Sequence, residues 1–464
     1  MSLQPKVGDR RQGILPFVLK LAERDDVTAR AGLPLVVETS RALRLDEAAR
    51  ELFGPPRRES DFGADEQIET LATLIAAGGD RLADIQVLRE DKGLVRLLGR
   101  SFASSDSLLD FLNSFHDPKC RAERPAEKRA FVPPESEKLG KLAQLNRKLV
   151  LRAADPTSDV ATVDHDGTII EAHKRDALVA YEGTRGYQPL VAAWAEEELI
   201  LADEFRDGNV CGGEDPLSSV KRAFETLPAT VRERYFRADS AAYYTPLLKW
   251  LVKETIQFAI SADMSKQLRQ RCESLPPGAW QLMERRERDS VDLAEVEFEP
   301  DDWSKTADPL RYVALRFTPL QSDILEQVVP RYHAVVSNRR EVTAAELIRW
   351  HRGKAGTIEH VHRVMKDELG AGVMPCQNFG ANAAWFRINV IAFNLLTALK
   401  RKALPERYRQ ARPKRLRFDV FTLPAKLTLH ESQLSAQVSA ASQRLEELVA
   451  ARQALLGILE AAPA

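Results

Sequence analysis

Two aspartates two residues apart, Asp164 and Asp166, lie in the stretch Asp159-Val-Ala-Thr-Val-Asp-His-Asp-Gly-Thr-Ile-Ile170. The stretch alternates as a β-strand does. Val160, Thr162, Asp164, Asp166 and Thr168 share one face, and Ala161, Val163, His165 and Ile169 the other. A carboxylate buried without a partner is too costly to keep. The pair therefore asks for a counter-charge, and a divalent cation is the natural one for oxygen ligands. The plainer alternative is a strand that turns into a loop through Asp-Gly. Two further acids occupy comparable places. Asp239 ends the run Arg234-Tyr-Phe-Arg-Ala-Asp-Ser240, and Glu359 lies in a helical stretch with Lys366 two turns further on and to the same side. Three converging carboxylates repel one another unless cations hold them. Two Mg²⁺ ions about 4 Å apart would do so, one activating an oxygen nucleophile and one stabilising the leaving oxygen. Oxygen-only ligands select Mg²⁺, with Mn²⁺ as a substitute, over zinc. On this reading the carboxylates of Asp166, Asp239 and Glu359 lie within about 4–8 Å of one another.

Strand ends and the helices beside them build such sites in α/β sheets. After the first strand, the runs from Gly186 to Trp194 and from Leu199 to Arg206 read as strands two and three. Pro216 to Leu227 has helical spacing, the run ending in Asp239 is a fourth strand, Thr245-Pro246 opens a helix, and Ile256 to Ser261 is a fifth strand. Together they predict a mixed α/β sheet. Strand patterns at 294–298, 311–317 and 332–337 predict a β-rich insertion. A helix is expected from about Thr343 past Trp350 and on through Glu359 to Lys366, then an apolar one over 381–403. Ahead of the sheet, 13–115 reads as several short helices, one capped by Asp65 and stopped at Gly78-Gly79, another capped at Ser104. A plain bundle and a helix-turn-helix module both fit them. Leu434, Val438, Ala441, Leu445, Leu448, Leu455 and Leu459 follow a heptad seam, which predicts an amphipathic tail helix packing on its own chain or on a second subunit.

With 464 residues, two or three domains are expected. The 67 basic and 68 acidic side chains nearly cancel, so any nucleic-acid surface must be local. The stretch 400–417 is the strongest candidate, with nine basic side chains against one acid, Glu406. A solvated loop would also carry them; beside a nucleic-acid enzyme they suit phosphate contacts. Cys120, Cys211, Cys272 and Cys376 form no C-x-x-C pair, which disfavours a zinc site and suits a reducing cytosol. The start of the chain has no apolar signal-peptide core, and the apolar run Ile388 to Leu399 is interrupted by Asn394 and too short to span a bilayer. A cytoplasmic protein without membrane contact is expected.

Several blocks resemble DDE-type insertion-sequence transposases with an RNase H-like catalytic domain, and the closest group is insertion sequence family 1380. They are Asp164-His-Asp-Gly-Thr with Glu171-Ala-His-Lys174, Tyr187-Gln-Pro-Leu, Arg206-Asp-Gly-Asn209, Arg237-Ala-Asp-Ser240, Ile358-Glu359 with Lys366, and Pro375-Cys-Gln-Asn-Phe-Gly-Ala-Asn-Ala-Ala-Trp385. The resemblance runs from Gly32 to about Leu429. It implies that Asp166, Asp239 and Glu359 are the catalytic, metal-binding triad, with Asp164 in reserve for the first position. Related transposases place a Tyr and an Arg before the glutamate and a Lys seven residues after it. Lys366 fits the last place; Trp350, Arg352, Lys354 and Ala355 occupy the upstream neighbourhood. Arg352, Lys354, Lys366, Arg412, Lys414, Arg415 and Arg417 are expected at DNA phosphates.

The division that follows is a helical DNA-binding region at 1–116, a basic linker and helix at 117–155, an RNase H-like core at 156–262 and 341–404, a β-rich insertion at 263–340, and a basic segment with a tail helix at 405–464. The resemblance implies a protein that binds the terminal inverted repeats of a mobile element, cleaves the DNA at its ends and joins them to target DNA. It further implies a homodimer on double-stranded DNA in a bacterial cytoplasm, associated with the nucleoid when acting. A nuclease on the same fold without strand transfer, and a DNA-binding protein descended from a transposase that has lost catalysis, are the rival readings.

Overall fold

Among the described residues, the sheet that carries Asp166 has nine strands: β1 (Val160–Gly167), β2 (Leu190–Trp194), β3 (Leu199–Glu204), β4 (Glu233–Ala238), β5 (Gln257–Ala262), β6 (Gln281–Arg285), β7 (Asp289–Val296), β8 (Arg311–Pro319) and β9 (Arg331–Ser337). The structure is a computed structural model that describes residues 25–56, 58, 61–121, 130–300, 302–303, 309–320 and 329–461. Residues 13–24 of the expected helical region and 122–129 of the expected linker lie outside these. The helices that matter for the site are α1 (Glu137–Ala153), α2 (Leu217–Thr226), α3 (Thr245–Lys253), α4 (Ala344–Arg352), α5 (Ile358–Asp367), α6 (Phe379–Lys402) and α7 (Ser442–Ala461).

The strand order is β6-β7-β8-β9-β5-β4-β1-β2-β3. The pairs β1–β2 and β2–β3 are antiparallel, and β1–β4 and β4–β5 are parallel. Parallel neighbours need crossover connections, and α2 and α3 lie in those connections. Five strands ordered 3-2-1-4-5 with these directions form the expected RNase H-like core. The strands of the insertion extend this same sheet, because β9 pairs antiparallel with β5 from Ala334↔Ala262 to Ser337↔Ala259. Strand β6 was not legible in the sequence; Gln281 to Arg285 has no period-two alternation, its two apolar residues Leu282 and Met283 being adjacent, and it is largely exposed.

β1 is buried over most of its length and is the middle one of the five core strands. α2 covers one face of it, where His165 Nε2 lies 2.8 Å from Ser219 Oγ. α5 covers the other, the face that carries Asp164 and Asp166. The long helix α6 is buried on all sides from Phe379 to Leu399, which explains its largely apolar character. Asn394, which interrupts that character, serves the edge strand. Its Oδ1 accepts the Ile200 N–H at 2.8 Å, and its Nδ2 donates to Ile200 O and to Asn146 Oδ1, both at 2.8 Å. An edge amide and carbonyl buried under a helix are thereby satisfied. Arg387, also inside α6, is buried between Asp203 of β3 and Glu135 just ahead of α1.

The helices at 34–113 pack onto α1 and α6, and their buried side chains run into the core of the sheet domain. Strand Val27–Thr28 pairs with Ala425–His430, tying the N-terminal region to the chain near its end.

Three local expectations differ from the structure. Asp65 does not cap its helix. Gly63 is the cap residue, and Asp65 sits inside the first turn, ion-paired to Arg50 at 2.9 Å. The helix expected from Thr343 to Lys366 is two helices, α4 and α5, separated by a 3-10 turn at Gly353–Gly356. The tail is not one amphipathic helix from Leu434. Leu434 and Val438 belong to the strand Gln433–Val438, and α7 starts at Ser442 and buries Leu448, Ala451 and Leu455. A period near two and a period near 3.5 both fit the few apolar residues there, and pairing with Ala425–His430 decides for the strand.

Candidate active site

Asp166 stands one residue before the end of β1, and Asp239 directly follows β4. His165 lies opposite Ala238 in the parallel register. The two aspartates therefore come one step further on neighbouring strands, which run about 4.8 Å apart. Glu359 is in the first turn of α5 and is exposed. The Asp166 carboxylate accepts the Gly167 N–H at 2.8 Å, and Asp239 accepts the Ala241 N–H at 3.0 Å. Burial, and then the charge of Asp239, push the Asp166 carboxyl up to about 6, with Glu359 adding to the rise and Lys354 opposing it. The three acids thus feel one another around Asp166. Among the described residues, no three His, Cys, Asp or Glu side chains close around a point that could hold a metal ion.

The donor set nonetheless suits a hard divalent cation. It is all oxygen, it is like-charged, and among the described residues no Lys or Arg is ion-paired to any of the three. A cation would relieve the repulsion that raises Asp166. His362, one turn along α5 from Glu359, points its Nε2 at Asp166 Oδ2 across 3.8 Å. Burial, and then the charge of Lys366, hold its imidazole down to about 4, so it is neutral at physiological pH.

Asp164 is a different matter. It is fully buried and forms a two-pronged pair with Arg237, Nε to Oδ1 at 2.7 Å and Nη2 to Oδ2 at 2.8 Å. The Thr357 hydroxyl donates to the same carboxylate. The counter-charge that the sequence demanded for Asp164 is an arginine, not a metal, and Asp164 is not available for the first metal-binding position. Sequence reasoning missed Arg237 and Thr357. The available signal was register: Arg237 stands two residues before Asp239, as Asp164 stands two before Asp166, and the strand period puts each on the face of its acid.

The basic residues expected at phosphates fall into two groups. Several are bound to their own chain. Arg352 Nη1 lies 2.8 Å from Glu284 Oε1 of β6. Lys366 Nζ donates to Ile169 O at 2.9 Å and lies 3.3 Å from Thr168 Oγ1, so it pins the turn after Asp166. Arg412 pairs with Glu368. Arg417 donates to the carbonyls of Ala76 at 2.8 Å, Ile75 at 3.0 Å and Glu368. The others face outward. Lys414 is exposed, and Arg415 is exposed although it reaches Asp419 at 2.6 Å. Lys354 is half-buried, close enough to Asp166 to oppose its rise in pKa. An open groove of about 610 Å³ runs from Gly167 past Thr168, Gln188 and Lys366 to Tyr181, whose ring is 75% exposed.

The sequence profile of the family described as "Transposase DDE domain group 1" matches residues 22–457. The chain belongs to that family. As a DDE transposase it falls among proteins that generally use divalent metal ions, which accords with the donor set around Asp166. No curated protein matches the chain. Among solved structures, the cryo-EM structure of a piggyBac transposase synaptic complex with hairpin DNA is similar at a TM-score of 0.46 and 11% identity, over 94% of this transposase chain and 84% of that one. The four cysteines of the transposase are all unpaired. Among the described residues, no helix is long and apolar enough to cross a membrane.

Proposed function

We propose that this transposase, of the insertion sequence family 1380 type, binds the terminal inverted repeats of its element, cleaves the DNA at each end and joins the freed ends to target DNA. The observation that carries the proposal is the grouping of Asp166, Asp239 and Glu359 at two neighbouring strand ends and an adjacent helix turn in a chain of the DDE family. These three acids would hold Mg²⁺, with Mn²⁺ as a substitute. Such ions supply positive charge that activates an oxygen nucleophile and neutralises the leaving oxygen in an in-line displacement. Cleavage and joining are both attacks on phosphorus by an oxygen, so one site serves both.

The chain's own residues have definable parts. Asp166 must be ionised to hold a cation, so below about pH 6 a proton competes with the cation for it. Lys366 fixes the turn Thr168-Ile169 and so the direction in which β1 presents Asp166. Neutral His362 shields the inner side of the Asp166 carboxylate from water. The groove from Gly167 to Tyr181 is a path for the DNA strand next to the acids, and Lys354 and Lys414 are the basic groups best free to meet phosphates, while the exposed Arg415 would first have to leave Asp419. Arg352, Lys366, Arg412 and Arg417 would have to exchange a present partner for a phosphate. We further propose recognition of the element end by the helices before residue 116, a homodimer with one subunit per end, and a cytoplasmic location.

Incubation of the protein with labelled element ends in Mg²⁺ tests this reading. Nicking at the terminus followed by joining is expected. Binding without nicking would favour a silent DNA-binding descendant, and nicking without joining a nuclease.

A further inference from the structure

We propose that Asp164, Arg237 and Thr357 form a buried brace whose task is to set the relative positions of the three site acids. Each brace residue stands two positions before one acid: Asp164 before Asp166 on β1, Arg237 before Asp239 after β4, Thr357 before Glu359 on α5. The brace ties together the three elements that carry the acids, and does so through one carboxylate. Arg237 grips both oxygens of Asp164, and the Thr357 hydroxyl donates to one of them. The proposal rests on the reading of Asp166, Asp239 and Glu359 as a cation site.

The same side chain reaches a fourth element. Arg237 Nη1 donates to Trp350 O at 2.7 Å, and its guanidinium lies 5.3 Å from the centre of the Trp350 ring. This fixes the end of α4 next to the break before α5. The break itself is shaped for the arginine. A Cβ on Gly353 would stand 2.6 Å from Arg237 Nη1. Gly353 has an ordinary helical backbone, φ −57° and ψ −22°, so a side chain there would cost no backbone strain and would instead push the Arg237 guanidinium out of its place.

A hydrophobic pair would hold the strands together at lower desolvation cost. What a planar, two-pronged ion pair adds is direction and register. Asp164 and Arg237 face each other across the parallel pair, and any slip of β4 against β1 breaks both bonds. α5 is exposed at Glu359 and starts without a capping side chain at Thr357, so the Thr357–Asp164 bond is the polar tie between its first turn and β1. Loss of that bond would free Glu359 while leaving the sheet intact.

The test is Mn²⁺ binding to the full-length protein by calorimetry, with thermal unfolding recorded for each variant. T357V keeps the shape and removes the hydroxyl; T357S restores it; D166N removes a site acid. Outer partners of metal-holding residues typically govern affinity by about 10–100-fold. Mn²⁺ affinity is expected to fall about tenfold or more in T357V, to recover in T357S, and to be lost in D166N, with the unfolding temperature of T357V close to wild type. G353A should weaken Mn²⁺ in the same sense by displacing Arg237. Wild-type affinity in both T357V and G353A, with D166N still defective, would overturn the brace and leave the cation site standing. Equal Mn²⁺ binding by wild type and D166N would overturn the cation site itself, and the brace with it.

Discussion

Replacing Asp166 with Asn should stabilise the metal-free protein. In the folded chain the Asp166 carboxyl is pushed from 3.8 up to about 6, by burial first and by Asp239 second. One pKa unit corresponds to about 1.4 kcal/mol, so above pH 6 the ionised side chain costs the fold about 3 kcal/mol. The sign follows from linkage. The folded state holds the proton more tightly than the unfolded one, so the stability this group contributes is fully present below pH 3.8 and is lost as the pH rises through about 6. Asn has nearly the same size, can still accept the Gly167 N–H, and carries no charge at any pH. Thermal or urea unfolding of D166N against wild type should therefore show a gain of up to about 3 kcal/mol at pH 8, about half of it at pH 5, and almost none at pH 4. Adding Mg²⁺ or Mn²⁺ at pH 8 should reverse the order, because only wild type gains from binding. A gain that does not depend on pH would mean that Asp166 is not held ionised against burial and Asp239. Equal stabilisation of both proteins by the metal would remove Asp166 from the cation site.

At sub-saturating Mg²⁺, cleavage of a labelled element end should decline as the pH falls through about 6, where metal-free Asp166 takes up its proton, and more Mg²⁺ should restore it; a rate at sub-saturating Mg²⁺ that is undiminished at pH 5 would refute its role. D166N should still bind the terminal repeat in gel-shift assays, since recognition is assigned to the helices before residue 116, and loss of binding in the folded variant would refute that separation. Neutralising Lys414 and Arg415 together should weaken binding to all DNA sequences alike and lower the salt slope by about 0.9 for each phosphate left without its counter-charge; an unchanged slope would mean that both face only solvent. R417A should leave that slope alone and lower stability by about 1–3 kcal/mol, because the carbonyls of Ile75, Ala76 and Glu368 lose their donor. N394L should cost about 1–3 kcal/mol for the same reason, leaving the edge groups of Ile200 unpaired beneath α6.

The order of elements was legible in the chain because the periods are local. The alternation around Asp166, the helical spacing from Pro216 to Leu227 and the turn residues between them place the five core strands and two crossover helices to within a few residues. The DDE resemblance was legible in the same way, from short blocks at the right intervals, and the family profile agrees with it. Sequence spacing also found Asp164, and found that it needed a counter-charge. It could not say which one. Asp164 and Arg237 are 73 positions apart, and only the parallel register of β1 and β4 makes them neighbours. The partners of the basic residues were hidden for the same reason. A cluster such as Arg412 to Arg417 looks uniform along the chain, yet packing holds the half-buried Arg417 against helix carbonyls and leaves Lys414 exposed. The break at Gly353–Gly356 was likewise invisible to periodicity, since the pattern resumes nearly in phase on either side. Sequence determines what each residue can offer within a turn or a strand. Which groups meet across the sheet, and so which acid is held by an arginine and which is left facing its fellow acids, is decided by long-range packing and register.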